Sequence, residues 1–121
     1  MIYFNKHLAF LYYGMAIADE NLDLEEKEEI FKIINAVKIF DHSEEEKEEM
    51  YGVLRVAIAD KLNSEQAFKS FEKYYYENNT FFDDSLKAQI LEALDGIALA
   101  SHGRNKSESV FYSRLFLLFE K

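Results

Sequence analysis

A residue able to cap a helix, followed three positions later by Glu or Gln, recurs along this chain: Asp23 with Glu26, Ser43 with Glu46, Asn63 with Gln66, Asn105 with Glu108. In such a box the cap side chain accepts the backbone N–H of the third helical residue. That residue's side chain accepts the cap's own N–H in return. Each box therefore starts a helix at a defined place. With no Pro in 121 residues, nothing in the covalent chain breaks a helix once it has begun.

The apolar spacing between these start signals is helical. Phe4, Leu8, Leu11, Met15 and Ala18 step by four or three along one face. Behind Asp23, Ile30, Ile34, Val37 and Phe40 do the same, and the acidic first turn at residues 25–29 suits a positive helix N-terminus. Behind Ser43 come Met50, Val53 or Leu54, Ala57 and Ile58; behind Asn63 come Ala67, Phe68, Phe71, Tyr74 and Tyr75, with a stop at Asn78-Asn79-Thr80. Asp83 or Asp84 caps a helix with Leu86, Ile90, Leu94 and Ile97 on one stripe. The last helix carries Val110, Phe111, Leu115, Phe116, Leu118 and Phe119 on most of its sides, which predicts a central position. No segment alternates with period two. The expected fold is all-α: one domain over residues 1–121, a helical bundle of about six helices with short loops.

Composition narrows the function classes. A hydrophobic fraction of 49%, with 11 Phe and 8 Tyr, supplies one core and argues against disorder. The formal net charge of −9 repels phosphate backbones, and no Lys/Arg cluster offsets it, so no nucleic-acid partner is expected. The apolar run at residues 8–18 is too short to span a bilayer, which needs roughly 20 residues, so no membrane partner is expected either. Lys6 and Ala16-Ile17-Ala18 give that run a faint look of a signal peptide. Tyr12, Tyr13 and Gly14 suit such a segment poorly, and a buried first helix is the expectation. Without Cys there is no disulfide, thiolate metal site or Cys nucleophile, which fits a cytoplasmic location.

One theme repeats. Gly14-Met15-Ala16-Ile17-Ala18-Asp19 closes the first helix, Gly96-Ile97-Ala98-Leu99-Ala100-Ser101 closes the fifth, and Val56-Ala57-Ile58-Ala59-Asp60 is a partial copy. Each is followed by a turn and a capping box. Gly14 with Ala18, and Gly96 with Ala100, are small residues four apart on one face, where helix backbones can approach closely. Two related helical hairpins, packed as a pseudo-twofold pair, account for the echo.

These residues resemble the tellurite-resistance protein B (TerB-like) family, over most of the chain. The family's mark is Ala-Asp-Gly at a helix end, a short acidic turn, and a Glu early in the next helix. Ala18-Asp19-Glu20 and Glu26 stand at those places, and Ala100-Ser101-His102-Gly103 with Glu108 forms the second copy. Glu20 replaces the Gly of the first copy and Ser101 the Asp of the second. The resemblance implies an all-α bundle linked to stress and tellurite resistance, metal binding through acidic residues, and no enzymatic activity. A similar domain accompanies some J-domain co-chaperones, but their His-Pro-Asp is missing here.

Among the candidate chemistries, the densest oxygen cluster is Asp19, Glu20, Asn21, Asp23 and Glu26. Hard divalent cations take such ligands. Asp19-x-Asn21-x-Asp23 opens like an EF-hand loop, but Leu24, Glu26 and Ile30 occupy the places of its Gly, aliphatic residue and bidentate Glu. A different divalent-cation site on Asp19, Asp23 and Glu26 is the metal expectation; helix capping by Asp23 and Glu26 is the alternative. His7, His42 and His102 form no metal-ligand pair by spacing; His102 falls after the second echo, where a solvated turn histidine is the expectation and a composite site with the acids of the first copy the alternative. No nucleophile–base arrangement or phosphate loop is present. The aromatics Tyr74, Tyr75, Tyr76, Phe81 and Phe82 are expected to close the core, with a homodimer or partner contact as the other use. Two functions follow: a non-enzymatic module binding a divalent cation, or a protein-interaction or oligomerisation domain without metal.

Overall fold

A computed structural model describes residues 2–18, 43–100 and 106–120. Among them lie five α-helices and no strand: α1 (Ile2–Ala16), α2 (Glu44–Ala59), α3 (Ser64–Glu77), α4 (Asp84–Ala100) and α5 (Lys106–Phe119), with a 3₁₀ turn at Asn79–Phe81. The expected helix behind Asp23 lies outside the described residues.

The caps form where the sequence places them. Ser43 Oγ accepts the Glu46 N–H while Glu46 Oε1 accepts the Ser43 N–H; Asn63 and Gln66 exchange the same pair. At α4 the cap is Asp83, whose carboxylate accepts the Leu86 N–H at 2.8 Å. The first box does more than start a helix. The second oxygen of Glu46 accepts from the amide of Asn5, which is buried in α1, so the same carboxylate seats α2 against α1.

α1 is the hub. It packs mainly on α3 and α2, and also meets α4 and α5, while α4 packs on α5. Between residues 4 and 18 only Lys6 is exposed. A helix apolar on all sides must be surrounded, and the expectation of a buried first helix holds. Two hydroxyls fix its C-terminal end: Tyr13 donates to the Leu62 carbonyl at 2.7 Å and Ser64 to the Gly14 carbonyl at 3.0 Å.

Gly14 makes a close approach, but to side chains. A Cβ there would lie 2.8 Å from Cζ of Phe111 and 3.2 Å from Cβ of Ala67. The small residue admits the edge of an aromatic ring from α5 and the methyl of α3.

The structure corrects the expected place of α5. Phe111, Leu115, Leu118 and Phe119 are buried, whereas Val110 and Phe116, together with Leu117, are exposed. α5 is an outer helix with apolar residues on both faces. At the other end of the bundle Phe82 enters the core among Phe4, Phe71, Tyr75 and Phe119, with ring centroids 5.2 to 6.3 Å apart. Tyr75 and Phe82 thus close the core as expected. Tyr76 is exposed, and Phe81 sits at the surface with its ring 5.4 Å from that of Phe4.

Candidate functional site

Asp19, Asp23 and Glu26 lie outside the described residues, as do His42, Ser101, His102 and Gly103. Among the described residues no group of three or more His, Cys, Asp or Glu side chains is placed to hold a metal ion. None of their helices is long and apolar enough to cross a membrane.

Two recesses lie among the described residues. The first lies between α1 and α3, about 380 Å³, lined by His7, Ser70, Lys73, Tyr74, Glu77 and Asn78. The His7 ring stacks on Tyr74 with centroids 4.3 Å apart and planes 11° from parallel. Partial burial pushes the Tyr74 hydroxyl above its ordinary value of 10.0, so at neutral pH it stays a neutral donor and acceptor. The recess is open and polar. It can hold a hydrogen-bonding group. Sequence spacing gave no hint of it, because His7 and Tyr74 come from helices far apart in the chain.

The second is a groove of about 420 Å³ between α4 and α5, lined by Asp84, Lys87, Ala88, Leu91, Phe116, Phe119 and Glu120. Lys87 closes its floor by donating to the Phe119 carbonyl at 3.0 Å, with its ammonium 5.7 Å from the centre of the Tyr75 ring. A cation is favourable at the carbonyl end of a helix. Beside the groove runs the outer face of α5, where Val110 is 53%, Phe116 46% and Leu117 62% exposed.

No family model, curated protein or solved structure matches this chain. Apolar side chains grouped on one helix face mark a contact surface more often than scattered single residues do.

α5 is attached firmly enough to present that face. Arg114 pairs with Glu65 of α3, and its guanidinium lies 4.2 Å from the centre of the Phe68 ring, a cation–π contact as well as an ion pair. The hydrogen bond from Arg114 holds the Glu65 carboxyl below its ordinary value, and Lys69 adds to the effect. Of the six apolar residues the sequence puts on most sides of α5, Phe111, Leu115, Leu118 and Phe119 face the core, and Val110 and Phe116 do not. Its seven-residue spacing carries two apolar stripes, and the outer one was the available signal.

Proposed function

We propose that this chain is a non-enzymatic helical module that acts by associating with protein, and that the outer face of α5 is its contact surface. The observation that carries the reading is the exposure of Val110, Phe116 and Leu117 together on a helix whose opposite face already fills the core. Phe is enriched at protein contacts, and apolar side chains grouped on a surface mark such contacts. The scattered histidines and the lack of Cys support a role without catalysis.

The TerB-like assignment belongs to the same proposal and is supported by the helix-end echo and its capped restarts. With it come the two related hairpins, the sixth helix behind Asp23, a cytoplasmic location, and a link to stress or tellurite resistance. A divalent cation held by Asp19, Asp23 and Glu26 is its second arm, supported by the oxygen cluster in the sequence.

The contact surface is tested with a photo-crosslinking benzoylphenylalanine in place of Phe116, in the whole chain expressed in cells. Covalent adducts on irradiation, absent when the same group replaces exposed Lys73 on α3, are expected. No adduct from position 116 overturns the reading.

A further inference from the structure

Along the outer face of α5, Lys106, Val110, Ser113, Leu117 and Glu120 follow one another at steps of four and three. That is the spacing of a seam on which a second helix packs. All five are exposed. The seam is also symmetric. Ser113 stands midway between Lys106 and Glu120, and midway between Val110 and Phe116.

We propose that the occupant of this face is a second copy of the same chain, its α5 antiparallel to the first and crossing it at Ser113. This rests on the reading of α5 as a contact surface and names the partner. A twofold axis through Ser113 makes the contact self-complementary, as an isologous interface requires. It sets Val110 of each copy against Phe116 of the other, and Leu117 over Ser109. Lys106 of each copy meets Glu120 of the other, twice, one opposite-charge pair at each end. The small Ser113 at the axis lets the helices come close.

Charge points to the same face. Two chains of net charge −9 repel each other. Residues 109–119 hold no acidic residue, and their single charge, Arg114, is already paired with Glu65. Here two copies meet with little repulsion and with attraction at the ends. A single helix pair buries an area at the low end for protein interfaces, below about 1,200 Å² in total. The dimer is therefore weak, and monomer exchanges with dimer over roughly 10 µM to 1 mM.

The chain contains no Cys, so one introduced thiol reports one position. Ser113→Cys is expected to oxidise to a covalent dimer at least about ten-fold faster than Ala59→Cys on α2, because association holds the two thiols at a high effective concentration. Sedimentation of the unmodified chain should show dimer rising with concentration. Lys106→Glu and Glu120→Lys should each weaken the dimer by roughly three- to ten-fold, and an equal mixture of the two variants should restore it, since each then offers the other opposite charges at both ends. Circular dichroism melts verify that every variant is folded. A monomer at all concentrations, equal oxidation of the two thiols, or no rescue on mixing overturns the proposal. Photo-adducts from position 116 to a different protein, with the chain itself monomeric, overturn the second copy as occupant and leave the contact surface standing. No adducts at all remove both.

Discussion

Gly14 shows how much one missing methyl group can position. Its carbonyl takes the Ser64 hydroxyl, and its open face takes the Phe111 ring edge. Phe111 is buried and rests edge-on against Phe68 at 5.5 Å, so it has little room to retreat. Gly14→Ala gains up to about 1 kcal/mol of helix propensity but forces an overpacked contact that costs about 1–3 kcal/mol. The expected outcome is a net loss of about 1 kcal/mol, read as a lower urea midpoint with an unchanged slope. A different imbalance sits at Tyr75, whose buried hydroxyl has no hydrogen-bond partner among the described residues. An unpaired buried hydroxyl costs about 1–3 kcal/mol, so Tyr75→Phe should raise the same midpoint. Lys61 occupies the left-handed region at φ 53°. It ends α2 with the Leu62 N–H on the Ala57 carbonyl and its own N–H on that of Ile58, a helix stop that usually employs Gly.

Between elements, the strap from α3 to α5 responds to pH. The Glu65 carboxyl is held below its ordinary value of 4.5, first by the hydrogen bond from Arg114. A carboxylate with a lowered folded value stabilises the fold above its unfolded value, and that contribution is lost as pH falls through the folded one. Glu65 is about half exposed, so solvent screening limits the term to about 1 kcal/mol or less. Glu65→Gln should melt slightly below the parent chain near neutral pH, and the gap should close on acidification well below pH ~4.5. A gap that persists in acid would mean the strap works through packing on Phe68 instead. Local logic made the helix starts legible: at Ser43, Asn63 and Asp83 donor and acceptor lie three residues apart, so sequence order is also spatial order. Which apolar stripe of α5 turns inward was not legible. That depends on Phe111 finding the slot at Gly14, a meeting decided by the tertiary fold.

For the molecule as a whole, binding is read as stability. A cation that binds only the folded chain raises its melting temperature by mass action. If Asp19, Asp23 and Glu26 hold a divalent ion, a scan with Ca²⁺, Mg²⁺, Mn²⁺ and Zn²⁺ should shift the melt, and Asp23→Asn should abolish the shift. A flat scan at millimolar ion removes the cation arm of the proposal. The all-α class was legible from capping and periodicity because both are properties of short windows. The recess at His7 and Tyr74 and the outer face of α5 were not, because they arise only when distant segments share a surface.

That α1 is enclosed by every later described helix has a cost in time. As the chain leaves the ribosome, α1 emerges before its walls; the ring that fills Gly14 arrives nearly a hundred residues later. Until then its greasy surface has nothing of its own to lean on. Assembly therefore waits for α5, and its loss would unroof the centre of the protein together with its edge.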